Sequence, residues 1–110
     1  MIIYNVTINV DETIHQEWLV WIKQHIKQVL ATELFLSAYL TKVLVDEALG
    51  GTTYSVQFKA PSRVALETYY NEHAENLRLQ AQNQFGDKIL AFRTELEVIE
   101  EFNATHKSKH

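Results

Sequence analysis

The order of its periodic segments constrains this chain more than anything else in it. Met1 to Val10 alternates apolar and polar residues as a half-buried strand does, and a stretch of helical period follows. Two more strand-like runs meet at Gly50-Gly51, and after them come a second helical stretch and a last alternating run. Taken in sequence, that is β-α-β-β-α-β, a split pair of βαβ units closing one four-stranded antiparallel sheet with both helices on one face. This order defines an α+β fold and carries no chemistry of its own.

The faces follow from the period. In the first strand Ile2, Tyr4, Val6, Ile8 and Val10 share one side, and Ile3, Asn5, Thr7 and Asn9 the other. Asp11 suits the N-cap of a helix running from about Glu12 to about Ala31, with Trp18, Trp21, Ile22, Ile26 and Val29 on its apolar arc. A strand over about Phe35 to Val45 puts Leu36, Ala38, Leu40 and Leu44 on the core side. Gly50-Gly51 supplies the positive φ of a hairpin turn. Beyond it Tyr54, Val56 and Phe58 alternate with Ser55, Gln57 and Lys59. Ser62, after the single proline, caps the second helix, whose stripe reads Leu66, Tyr70, His73, Leu77 and Ala81. Gly86 fits the left-handed residue that closes it. In the last strand, about Ile89 to Glu100, Leu90, Phe92, Leu96 and Val98 are expected inward and Arg93, Glu95 and Glu97 outward.

At 110 residues the chain fits one domain, expected over residues 1–102, with 103–110 a disordered polar tail. The formal net charge is -4 and the ten basic residues are scattered, which argues against a nucleic-acid surface. The outward Ser55 and Gln57 likewise replace the aromatics that a base-stacking sheet would need. With no cysteine there is no disulfide, thiolate site or Cys nucleophile. The N-terminus lacks a basic leader and cleavage site, and no segment is apolar enough to span a bilayer, so a soluble cytoplasmic protein without membrane contact is expected.

Helices on one side leave the other sheet face open. It reads as largely polar, with Asn5, Thr7, Ser55, Gln57 and Arg93 at its centre. Such a face is either solvated or paired with a second copy, and polarity alone leaves both open. Arg78 and Arg93 are the basic residues expected to be held in place. Arg93 is expected on the open face with Glu95, Glu97 and Lys59 in a cross-strand charge network, with anion capture by Arg93 as the sharper alternative. On the covered side, His73 with Tyr70, and the aromatic-imidazole wall of Trp21 and His25, are the candidate lining of a ligand cleft. The plainer reading of each is core packing with one satisfied hydrogen bond. His15 and His25 are ten apart, roughly 80° around a helix, and His106 and His110 fall in the tail, so no metal site is expected and no cofactor is assigned. Phosphate-loop, nucleophile-elbow and H-E-x-x-H motifs are absent.

The stretches MIIYNVTINVDE, GGTTYSVQF and HAENLRLQAQNQFGDKILAFRTELEV resemble a bacterial single-domain family of unknown function. His73-Ala74, Leu77-Arg78, Phe85-Gly86 and Phe92-Arg93-Thr94 are its most characteristic phrases. The family pattern has a proline near Lys27 and a glycine near Glu33, and this sequence has neither. The resemblance implies a ferredoxin-like monomer of the dimeric α+β barrel type, hence a homodimer, with no established activity. Relatives in that broader fold include small oxygenases, isomerases and haem-degrading enzymes, a link by fold alone. The haem-degrading members use an Asn, a Trp and a His, for which Asn5 or Asn9 and His73 are the nearest equivalents. Two expectations follow. One is a non-enzymatic homodimer that binds a small molecule or another protein. The other is a cofactor-independent isomerase or small oxygenase, or a haem-binding protein, using His73 in a cleft between helices and sheet.

Overall fold

The computed structural model describes residues 1–48 and 50–105. Strand β1 (Ile2–Val10) leads through a short 3-10 turn into helix α1 (His15–Leu30), then β2 (Ser37–Lys42) and β3 (Thr52–Ala60). The second helical stretch is α2 (Arg63–Tyr69), a π-helical turn at Tyr70–Ala74, and α3 (Glu75–Phe85), before β4 (Ile89–Glu97). The sheet is antiparallel throughout, in the order β2-β3-β1-β4.

Local chemistry sets the joints. The Asp11 carboxylate accepts from the Thr13 backbone N–H at 2.8 Å, and Ser62 Oγ from that of Ala65 at 3.1 Å, each satisfying an orphan donor of a helix start. The Thr13 hydroxyl, which donates to the Asp11 carboxylate at 2.6 Å, together with the Thr13 N–H holds that carboxyl below the usual carboxylate range. Gly51, at φ 78°, lies so close to β1 that an added Cβ would stand 2.8 Å from the Val10 carbonyl oxygen. After α1 the chain turns at Glu33 with φ 66°, the left-handed conformation that favours glycine. The family resemblance leads one to expect a glycine near this position.

One side of the sheet forms the core. Ile2, Tyr4, Val6, Ile8 and Val10 of β1 and Tyr54, Val56, Phe58 and Ala60 of β3 are all buried. They pack under Trp18, Ile22 and Val29 of α1 and under Leu66, Tyr69, Leu77 and Phe85 of the second helix. Each fully buried large side chain contributes roughly 1.5–3 kcal/mol relative to an exposed one.

β4 departs from expectation. In the β1–β4 ladder Val6 pairs with Arg93, Ile8 with Ala91 and Tyr4 with Glu95. Directly paired residues point to the same side of a sheet. Arg93, Glu95 and Glu97 therefore lie on the helix-covered side, while Leu90, Phe92 and Leu96 lie on the open one, at 58%, 61% and 45% exposure. The predicted Arg93–Lys59 network is excluded, because Lys59 pairs with Ile3 on the open side. Apolar residues occur at both parities at the start of β4, so alternation does not choose a face, and a slip of one residue exchanges all of them.

The second helix departs in phase. The π turn inserts one extra residue, so the buried positions run Leu66, Tyr69, Ala74, Leu77 and Phe85. His73 is thereby displaced from the centre of the stripe. β2 is shorter than expected, and Leu36 and Leu44 lie outside it and exposed. β4 ends at Glu97, and residues 103–105 have no regular secondary structure. The rest of the tail, with His106 and His110, lies outside the described residues.

Candidate functional site

A cavity of about 60 Å³ lies between the helical layer and the sheet. α1 contributes Trp18, Trp21 and His25 to its wall, which the helical period places on one arc at spacings of three and four. The floor is the apolar row of β1 with Ala91 and Arg93 of β4, and α3 closes the side with Leu77, Arg78 and Ala81.

Most of the wall is apolar, so its polar groups stand out. Trp18 is completely buried, yet its indole Nε1 has no hydrogen-bond partner among the described residues. The Nδ1 of His25 is likewise buried and unpartnered. An unsatisfied buried polar atom carries its full desolvation cost, of order 1–3 kcal/mol, and native structures retain few of them. The His25 ring stacks on Trp21 with centroids 4.5 Å apart and an interplanar angle of 19°. Burial lowers its pKa to about 4, and the Arg93 charge acts in the same direction, so the imidazole is neutral near pH 7.

The charges in the wall are all of one sign. Arg78 and Arg93 line the cavity and no aspartate or glutamate does. Among the described residues the ion pairs are those of Arg63, with Glu67 at 3.4 Å and Glu95 at 2.9 Å. Arg78 Nη2 instead donates to the Tyr4 hydroxyl at 3.0 Å, and its guanidinium carbon lies 6.0 Å from the centroid of the Tyr70 ring. Tyr69, also in the wall, has its hydroxyl pKa raised to about 12, chiefly by burial.

Of the four predicted cleft residues, Trp21 and His25 line this cavity. His73 and Tyr70 do not, which corrects the expectation of one shared cleft. The π turn accounts for this. His73 is half-buried on the flank of the helix, its ring 6.3 Å from that of Tyr69. Tyr70 faces a neighbouring surface groove with Arg78 and Leu79. Its hydroxyl donates to Glu95, which holds that carboxyl below its usual range, and burial and the same bond raise the tyrosine. Arg78 and Arg93 stand out in the sequence as the basic residues held in place, but their convergence on this cavity does not. Their signal lay in Leu77-Arg78 and Phe92-Arg93-Thr94, but only the register of β4 joins them.

A second polar cluster sits near the start of α1. His15 Nε2 and the Tyr54 hydroxyl are 2.6 Å apart, and Thr52 Oγ1 donates to Glu12 at 2.8 Å. Neither His15 nor Tyr54 borders the cavity. No group of three or more His, Cys, Asp or Glu among the described residues is arranged to hold a metal ion.

On the open sheet face Asn5 lies opposite Gln57 and Thr7 opposite Ser55. Ser55 Oγ donates to Asn5 Oδ1 at 2.6 Å, and Asn5 Nδ2 donates to Thr7 Oγ1 at 3.2 Å. Beside this network runs the exposed apolar row of β4, with Phe92 across from Thr7 and Leu96 across from Ile3. No helix among the described residues is long and apolar enough to cross a membrane.

Comparison with known proteins agrees with the architecture. The family described as Domain of unknown function (DUF4286) matches residues 1–99. No curated protein matches in sequence. Among solved structures, a dimeric ferredoxin-like protein from an uncultured marine organism superposes with a TM-score of 0.66 at 12% identity, covering 94% of this chain and 100% of its own. The haem-degrader MhuD of Mycobacterium tuberculosis, solved with two haems bound in its active site, gives a TM-score of 0.65 at 17% identity over 94% and 100%. At these identities the likeness shows a shared ferredoxin-like fold.

Proposed function

Since the chain belongs to the DUF4286 family, a domain of unknown function that brings no activity with it, we propose a function from the geometry: a homodimeric binding domain that holds a small molecule between its helical layer and its sheet. The observation that carries this is the pair of buried, unpartnered polar atoms, Trp18 Nε1 and His25 Nδ1, on residues of an otherwise mostly apolar cavity wall. A ligand supplying an acceptor and a second polar group would remove both penalties at once.

The dimer is supported by the open face. An exposed apolar row of Leu90, Phe92 and Leu96 beside a preformed hydrogen-bond network suits a second copy better than water. Asn5, Thr7, Ser55 and Gln57 form the polar centre of that surface, without Arg93. The similar marine protein is described as dimeric.

The haem-bearing neighbour raises the question of a macrocycle, and the residues present do not fit one. Asn5 and Asn9 lie on the opposite face of the sheet, and His73 is outside the cavity wall. The cavity of about 60 Å³ is also smaller than the roughly 150 Å³ that admits benzene. The same displacement of His73 removes support from an isomerase or oxygenase built on it.

A thermal-shift panel of small alcohols, amides, amines and carboxylates tests the binding reading, because a ligand that prefers the folded state raises the melting temperature by mass action. At least one chemical class is expected to do so at millimolar concentration. A panel without any shift would refute the proposal.

A further inference from the structure

Resting on that reading of the cavity, we infer that its ligand is a short-chain organic carboxylate held by Arg78 and Arg93. The charge inventory of the wall and the chemistry of guanidinium converge on this class. The cavity wall contains two guanidiniums and no carboxylate, and among the described residues neither arginine has an acidic partner. Both arginines are exposed residues that also border the cavity, so an anion bound there is held by two cations. Guanidinium forks match the planar, two-oxygen geometry of a carboxylate.

The remaining walls decide what the anion is attached to. Val6, Ile8, Ile22, Val29 and Ala91 offer no hydrogen bonds from their side chains, so a fully hydrated dianion such as phosphate would leave most of its oxygens unpaired. A volume of about 60 Å³ limits the body of the ligand to a few heavy atoms. Deeper in the wall, Trp18 is a pure donor and His25 is neutral, so neither contributes a competing anion. The ligand is thus a carboxylate at the arginine end that carries a hydroxyl towards Trp18 Nε1 and His25 Nδ1, where that hydroxyl accepts from the indole and pairs with the imidazole.

The chain supplies its own reporter. Its two tryptophans, Trp18 and Trp21, both line this cavity, so intrinsic fluorescence reads occupancy directly. The experiment titrates the full chain with glycolate, lactate and 3-hydroxybutyrate, with their isosteric amides, and with inorganic phosphate, all at constant ionic strength. Saturable change in tryptophan emission is expected for a carboxylate, with its amide at least tenfold weaker and phosphate inert. Arg93→Gln is expected to weaken the carboxylate at least tenfold, and Arg93→Lys, which keeps the charge and loses the fork, to fall between. An amide that binds as well as its acid, or phosphate that binds better, overturns the carboxylate assignment and leaves the cavity reading standing. Silence from acids, amides and phosphate alike overturns the carboxylate assignment too, and if the wider panel is also silent, the cavity reading with it. Should Arg93→Gln fail to fold, the acid-amide comparison on the unmodified chain still decides.

Discussion

Arg78 on α3 donates a 3.0 Å hydrogen bond from Nη2 to the hydroxyl of Tyr4 on β1. Tyr4 is almost wholly buried, and its ring contacts those of Phe35, Phe58, Tyr69 and Tyr70. One hydroxyl therefore ties the guanidinium of the second helical stretch to the centre of the aromatic core. Tyr4→Phe keeps the ring and removes the tether. It is expected to cost about 1 kcal/mol, since a charged donor loses a partner while remaining partly hydrated. Urea denaturation of the two proteins measures it, and an unchanged midpoint would show that the tether contributes nothing.

Glu33→Gly is expected to stabilise the protein. A non-glycine residue at φ 66° carries roughly 1–2 kcal/mol of left-handed strain. Glycine relieves it and gives back part through greater freedom of the unfolded chain. A net gain of about 0.5–1 kcal/mol corresponds to a rise in Tm of roughly 3–5 °C. Calorimetry that showed a lower Tm would contradict the strain argument.

Acid should destabilise the fold through His25. Its folded pKa is about 4, below the ordinary 6.5. Between these values the unfolded chain binds more protons, so stability rises with pH across the window and is fully present above 6.5. As the pH falls from 7 to 4, wild type is expected to lose on the order of 2–3 kcal/mol more than His25→Gln. Parallel denaturant curves for the two proteins at several pH values test this. Identical pH profiles would place His25 in water.

His73→Ala is expected to leave ligand-induced tryptophan quenching unchanged. The imidazole is half-buried, outside the cavity wall, and 6.3 Å from the Tyr69 centroid, so its loss should cost less than about 1 kcal/mol. A tenfold loss of binding in this variant would restore His73 to the site.

Phe92→Glu is expected to give a monomer. It places a charge in the middle of the exposed apolar row without touching the core side of β4. Light scattering should report a dimer for wild type and a single-chain mass for the variant, with the same circular dichroism. Equal masses would exclude this face as the interface.

How far the sequence foretold this molecule differs from element to element. β1 alternates without a break, so its two faces, and with them Asn5 and Thr7 on the open side, were legible from period alone. Asp11, Ser62 and Gly86 marked helix ends through local hydrogen-bonding and φ requirements that the structure meets. β4 was not legible, because Ile89, Leu90, Ala91 and Phe92 are apolar in succession and a single buried side was assumed. Its register depends on long-range pairing with β1 and on an open face that is itself partly apolar. The cavity was half legible. Trp21 and His25 share an arc of one helix, whereas Arg78 and Arg93 meet only across the chain. His73 falls off the stripe because of a π turn, which leaves no mark in an apolar pattern read at 3.6 residues per turn.

That turn has an evolutionary corollary. Dropping one residue from Tyr70–Ala74 would restore an uninterrupted α-helix and leave α3 in nearly the same phase relative to α2, because five residues at the π pitch sweep about the same angle as four at the α pitch. Leu66 and Tyr69 would keep their seats, and so would Leu77 and Arg78. A change of length by a single codon is thus absorbed within the turn itself, and a descendant can lose it without altering any strand or the charge of this chamber.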